Sequence, residues 1–175
     1  MILTAIDLEM AQPSGKIISL GYCIGDTNTG DILASNDVFV KIDEPLTPFI
    51  IELTGITEET LATKGGTLLE AYETIKRDHI LHKSFVNTLT WGGGDTEALR
   101  TQLNKDREKW LFGRRWIDVK TLYISRCIAK SKPFKGGLVK SMRSMGLEFE
   151  GKVHSSMSDA INTFKFYCHL LKEFK

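Results

Sequence analysis

Cysteine is scarce in this chain and does not pair by pattern: Cys23, Cys127 and Cys168 are the whole complement of 175 residues. An odd, scattered set excludes a disulfide framework, and no two of the three have zinc-ligand spacing. All three are expected to be reduced and mostly buried. Excess charge is missing too. With 23 basic and 22 acidic side chains, net charge names no partner, although a basic track and an acidic centre would cancel in such a sum. No apolar run is long enough to span a bilayer. No basic stretch precedes an apolar one at the N-terminus, which argues against a signal peptide. The expectation is a cytoplasmic protein without membrane contact. Internal repeats, low-complexity tracts and long linkers are also lacking, so residues 1–175 read as a single domain. What is present is 42% hydrophobic and 26% charged residues, enough apolar surface for a core.

The pattern opens with three strands. Ile2 to Glu9 is an apolar run ending in acids, residues 17–25 follow, and Ile32 to Val40 completes a hairpin across the turn Asp26-Thr-Asn-Thr-Gly30. Pro45 and Pro48 then mark a loop that contains Leu53-Thr-Gly-Ile-Thr57. Residues 67–82 read as a helix with Leu68, Leu69, Tyr72, Ile75 and His79 near one stripe. Phe85 to Trp91 is a fourth strand, ended by Gly92-Gly93-Gly94, and a helix starts at Asp95 with Leu99, Leu103 and Trp110 at helical spacing. Trp116 and Ile117 suggest a fifth strand before a helix carrying Leu122, Tyr123 and Ile128. Gly136-Gly137 precedes a short helix ending near Gly146. The last helix runs from about Ser156 to Phe174, striped by Met157, Ala160, Ile161, Phe164, Cys168 and Leu171. Three strands followed by alternating helices and strands predict an α/β fold: one mixed sheet with helices packed on it.

Five residues invite a chemical reading. Asp7 and Glu9, two apart on a strand, share one face, with Leu3 and Ala5 beside them. Two carboxylates about 6–7 Å apart along a strand in an apolar setting resist ionising together, and a divalent cation removes that cost. Hard oxygen ligands suit Mg²⁺ or Mn²⁺. Asp95 follows a glycine run that lets backbone approach a ligand. His154 lies just before a helix, and Asp159 departs from that helix's apolar stripe. Taken singly, each has a plainer explanation: a strand end in water, an N-cap, a solvated histidine, or an acid complementing a helix dipole.

As an ordered set they resemble the DEDDh class of 3′–5′ exonucleases. Ile6-Asp-Leu-Glu9 is similar to the first motif, Trp91-Gly-Gly-Gly-Asp95 to the second, and His154-Ser-Ser-Met-Ser-Asp159-Ala160 to the third. Leu53-Thr-Gly-Ile-Thr57 resembles the loop that lies against the terminal nucleotide. Trp116-Ile-Asp118, Gly137-Leu138 and Leu147-Glu-Phe-Glu-Gly151 fall where the family has comparable segments. The similarity spans nearly the whole chain. It implies a ribonuclease H-like mixed five-stranded sheet flanked by helices. It also implies two cations, Mg²⁺ or Mn²⁺, held by Asp7, Glu9, Asp95 and Asp159, with His154 as base. The implied substrate is a single-stranded 3′ end of RNA or DNA, touched by Leu8, Met10, Thr54, Gly55, Ile56 and Trp91. Met10 stands where a Thr is common, and Ser155-Ser156-Met157 replaces an Arg-Ala-Leu type of run.

Other features carry less. Asp118 sits at a strand-to-helix junction and reads as an N-cap. His79 and His82, three apart, could share a metal, but a partly exposed helix face is the simpler account. Lys130, Lys132, Lys135, Lys140 and Arg143 form a basic region that either tracks phosphates or is a solvated surface. Trp91 and Trp116 fit core packing better than base stacking. The alternatives to an exonuclease are a non-catalytic nucleic-acid-binding module and a proofreading subunit docked on a polymerase.

Overall fold

A computed structural model describes residues 1–103, 110–134 and 136–173. Its centre is a five-stranded sheet in the order β3-β2-β1-β4-β5. The strands are β1 (Ile2–Met10), β2 (Ile17–Asp26), β3 (Ile32–Phe39), β4 (Leu89–Thr90) and β5 (Ile117–Asp118). β1 pairs antiparallel with β2 and β2 antiparallel with β3, whereas β4 joins β1, and β5 joins β4, in parallel. The expected mixed sheet is therefore present. Its parallel half is much shorter than Phe85 to Trp91 suggested: Phe85 and Val86 are exposed, and only Leu89 and Thr90 join the ladder.

Alternation along β1 sorts its side chains onto two cores. Leu3 and Ala5 face a cluster with Val119, Tyr123, Met142, Phe164 and Phe166. Ile6 and Leu8 face the opposite cluster with Tyr72, Ile75, Leu99 and Phe112. The first cluster is covered by α5 (Val119–Ala129), α6 (Leu138–Ser144) and α7 (Ser156–Glu173), and the second by α3 (Leu68–Leu81) and α4 (Asp95–Leu103). The helix α7 is the keystone, packing on both β1 and β2. Gly21 makes that approach possible. It sits opposite Asp7 on β2, and a Cβ there would run into the backbone of Ser156 and Met157.

Several local expectations change. The Pro45–Thr57 segment is not simply a loop: α1 (Pro48–Thr54) forms within it and α2 (Glu58–Lys64) directly after it, capped by the side chains of Thr47 and Thr57. Pro48 at the helix start has no N–H to lose. In α3, Leu69 is exposed and Ala71 takes a buried place beside Tyr72, Ile75 and His79. His79 is not on an exposed face at all. It is 2% exposed, bonded to the Thr4 hydroxyl at 2.9 Å and packed edge-on against Phe112, so it is a core residue rather than a ligand shared with His82. In α5, Ile128 is exposed while Val119, Tyr123 and Cys127 are buried. In α7, Met157, Ile161 and Leu171 are only partly buried. The fully covered positions include Ser156, Asn162 and Thr163, because this helix is surrounded on more than one side. The stretch linking Leu103 to Trp110, Lys135 and the end of the last helix at Phe174 lie outside the described residues. All three cysteines are free and buried, as expected. Among the described residues no helix is long and apolar enough to cross a membrane.

Candidate active site

The site is assembled at the end of β1. Asp7 and Glu9 point to the same face as Leu3 and Ala5, and both are partly buried. Beyond them the ladder shifts register between Glu9 and Met10, which ends regular pairing beside the carboxylates.

Asp95 arrives from the parallel half of the sheet. After β4, Gly92 adopts φ 95°, a conformation that needs glycine. This turn is fastened from both sides: Thr90 Oγ1 donates to Gly92 O at 2.7 Å, and Gly92 N donates to Asp118 Oδ1 at 3.1 Å. Asp118 also accepts from Thr121 N at 3.0 Å as the N-cap of α5, so it holds scaffold rather than metal. Ala98 N bonds Gly94 O at 2.7 Å, which places Asp95 inside the first turn of α4. Trp91 packs edge-on against Phe166 with centroids 5.3 Å apart, and its buried Nε1 has no hydrogen-bond partner among the described residues. Trp116 is also partly buried, with its indole near Gly93.

His154 and Asp159 come from the entry to α7. The backbone of His154 is left-handed, φ 62°, which costs a non-glycine residue about 1–2 kcal/mol. The strain is offset locally. His154 N donates to Asp159 Oδ2 at 3.1 Å, and Asp159 N donates to Ser155 O at 2.9 Å. The imidazole is left exposed at the rim. Beneath it, Asp37 of β3 accepts from Ser156 Oγ at 2.6 Å and from Ser19 Oγ, with Ser155 Oγ at 3.4 Å. The serines that replace an Arg-Ala-Leu type of run thus tie α7 to the sheet edge.

The electrostatics are those of carboxylates crowded together and withdrawn from water. Burial, then Asp95, Asp159, Glu9 and Asp37, push the Asp7 carboxyl well above its ordinary range. Burial, followed by Asp159, Asp37 and Asp95, raises Glu9 to about 8. Asp95 rises to about 7 through burial and Asp159. Asp159 rises to about 6 through burial, opposed by the His154 charge and backbone N–H. Ligand atoms of Glu9, His154 and Asp159 lie within 4.8 Å of one another. A group of oxygen donors that repel one another and are pushed towards protonation fits a hard divalent cation.

Asp7, Leu8, Glu9, Trp91, Val153, His154 and Asp159 line a cavity of about 580 Å³, completed by Gly137 to Lys140 and Arg143 of the α6 segment, a size suited to a small ligand. Met10 and the Thr54–Ile56 turn are outside this lining. Thr54 and Ile56 are 4% and 6% exposed, and Thr54 Oγ1 donates to Ile50 O and accepts from Ile56 N. Their side chains are thus committed to the fold, leaving the Gly55 backbone as the exposed part. Lys152 Nζ reaches over that turn to Thr54 O at 2.9 Å. Asp37 was not anticipated as part of the site, whereas Lys140 and Arg143 of the basic region, read either as a phosphate track or as a solvated surface, stand in its α6 wall. Asp37 lies on an edge strand with no local motif, and only the tertiary fold brings it near Asp7 and Glu9.

A strand-end carboxylate pair, joined by an Asp from the first turn of α4 and a His–Asp helix entry on a mixed sheet of this order, is the arrangement of a nuclease with the ribonuclease H-like fold. The exonuclease family model named RNase_T matches residues 4–167, and the chain belongs to that exonuclease family. It is 26% identical over 174 residues to mouse ERI1 exoribonuclease 2, a match that takes in 86% of this chain and 24% of that protein. The chain thus spans about a quarter of the length of this curated relative. Two solved structures share its fold. The nuclease domain of 3′hExo, described as a DEDDh family member bound to rAMP, superposes with a TM-score of 0.79 at 18% identity, covering 98% of this chain and 92% of that one. S. pombe Pop2p with bound Mg²⁺ and Mn²⁺ gives 0.72 at 17% identity, covering 98% and 83%.

Proposed function

We propose that this chain is a metal-dependent 3′–5′ exonuclease that hydrolyses the terminal phosphodiester of RNA or DNA and releases a nucleoside 5′-monophosphate. The observation that carries the proposal is the convergence of Asp7, Glu9, His154 and Asp159 from separate parts of the chain around one cavity, with Asp95 near enough to Asp7 to raise its carboxyl, in a member of an exonuclease family. Asp7, Glu9, Asp95 and Asp159 would hold two Mg²⁺ or Mn²⁺ ions, which when bound neutralise the carboxylates, acidify a water and offset charge on the leaving oxygen. The metal-bound Pop2p neighbour is a further support for that choice of ions.

His154, exposed at the rim, accepts the proton of the attacking water. The resulting hydroxide forms a bond to the terminal phosphorus. The bond from that phosphorus to the 3′ oxygen of the preceding nucleotide breaks, and the oxygen takes a proton from solvent. Trp91, which lines the cavity, gives the terminal nucleotide an apolar wall, and Leu8, whose side chain faces the opposite core, contributes through its backbone. Thr54, Gly55, Ile56 and Met10 lie further out and contribute mainly through the Gly55 backbone. A single-stranded 3′ end is the proposed substrate. The proposed compartment is the cytoplasm, supported by three buried free thiols.

The direct test is incubation of 5′-labelled RNA and DNA of matched sequence with Mg²⁺, Mn²⁺ or EDTA, beside Asp7→Ala. A metal-dependent ladder shortening from the 3′ end, absent in Asp7→Ala, is expected. Cleavage that persists in a clean Asp7→Ala preparation overturns the site assignment.

A further inference from the structure

The helix α6 has two distinct faces. Leu138, Ser141 and Met142 turn into the core, while Val139, Lys140 and Arg143 line the cavity. Lys140 and Arg143 are exposed and three residues apart, so their Cβ atoms stand about 5–6 Å from each other on one side of the helix. Neighbouring cations are already engaged: Arg126 and Lys130 close on Glu173, Lys165 on Glu150, and Lys152 on the Thr54 carbonyl. Among the described residues, Lys140 and Arg143 have no carboxylate partner. Among the described residues they are also the only lysine and arginine in the lining of a cavity whose other charged members are Asp7, Glu9 and Asp159, with His154 at its rim.

This asymmetry matters for a polyanion. A strand that places its last phosphodiester at the carboxylates must carry its remaining phosphates past an acidic cluster, which repels them. We infer that Lys140 and Arg143 bind the backbone phosphates of the nucleotides preceding the scissile bond, so that α6 sets the enzyme's preference for polynucleotide over mononucleotide esters. The inference rests on the nuclease reading above and assigns a grip that is independent of base identity. Two exposed side chains on one helical turn can share one phosphate or take two in succession, giving affinity that falls with salt.

The test uses the double variant Lys140→Gln/Arg143→Gln beside wild type. Lys64→Gln, which removes a charge at the far end of α2, is the control for net charge. Two substrates separate the roles: a 5′-labelled single-stranded oligonucleotide, and the p-nitrophenyl ester of thymidine 5′-monophosphate, which has one phosphodiester and no preceding nucleotide. Binding of the labelled oligonucleotide is followed independently by fluorescence anisotropy in EDTA. The double variant is expected to raise the oligonucleotide KM about tenfold, to flatten the salt dependence of binding by about one to two log units per log unit of salt, and to lower the oligonucleotide-to-ester ratio of kcat/KM. Lys64→Gln should change none of these. Equal KM, salt slope and anisotropy in wild type and double variant overturn the inference, as does an equal fall on both substrates. If wild type cleaves neither substrate while the double variant loses oligonucleotide affinity, the phosphate surface stands and the exonuclease reading falls.

Discussion

Removing the metal should make this protein less stable as the pH rises, and Glu9 shows why. Its carboxyl is pushed from 4.5 to about 8 in the folded state. In the unfolded chain it ionises near 4.5. Between those values the unfolded state releases the proton and the folded state keeps it, so rising pH favours unfolding. The stability is fully present below about 4.5 and is lost as pH climbs through about 8. At 1.36 kcal/mol per unit the shift sets a ceiling of about 5 kcal/mol. Solvent in the open cavity and repulsion shared with Asp7, Asp95 and Asp159 reduce the part owed to Glu9 to about 1–2 kcal/mol. For a domain of this size that is roughly 3–6 °C in Tm. The assay is a thermal melt of wild type and Glu9→Gln in EDTA from pH 5 to pH 8. The variant should melt close to wild type at pH 5 and above it at pH 8, and Mg²⁺ or Mn²⁺ should raise only the wild-type Tm substantially at the higher pH. A difference between the two proteins that does not grow with pH would refute the reasoning.

Further predictions concern the scaffold and the base. His154→Ala should lower kcat by about 10²–10⁴-fold and leave the metal-induced rise in Tm nearly intact; an unchanged single-turnover rate removes His154 from the role of base. Gly21→Ala should destabilise the protein by about 1–3 kcal/mol, read as a lower urea midpoint, because the added Cβ meets the backbone of Ser156 and Met157. Asp118→Ala removes the cap of α5 and the acceptor for Gly92 N, with an expected cost of about 1–2 kcal/mol and reduced activity through misplacement of Asp95; kinetics equal to wild type would separate that turn from the site.

The long elements were legible because their periodicity runs over enough residues to declare itself. β1 and β2 alternate or stay apolar over nine and ten residues, β3 is declared by the turn that joins it to β2, and the position of Asp7 and Glu9 on the Leu3–Ala5 face follows from period two alone. α1 and α2 escaped because each has only seven residues, too few to show a stripe, even though Thr47, Pro48 and Thr57 were start signals. β4 and β5 have two residues each, so their pairing is decided by neighbours rather than by local sequence. The five expected site residues were visible as motifs. Asp37 was not recognisable as a neighbour of that site, since no spacing in the chain relates an edge strand to the end of β1, and the basic region with Lys140 and Arg143 could not be told from a solvated surface until the fold set α6 beside the cavity.

The position of α7 has a consequence for how this protein is made. Asp7 and Glu9 lie on β1, yet Asp159 and the packing that buries the first core come from α7, more than a hundred residues later in the chain. At ordinary translation speeds of about 5–20 residues per second, the two halves of the site are separated by roughly ten to thirty seconds. Throughout that interval the nascent chain is tethered to the ribosome with half of the candidate site. The carboxylates of β1 therefore wait without their α7 partner until that helix has left the exit tunnel and docked on the sheet.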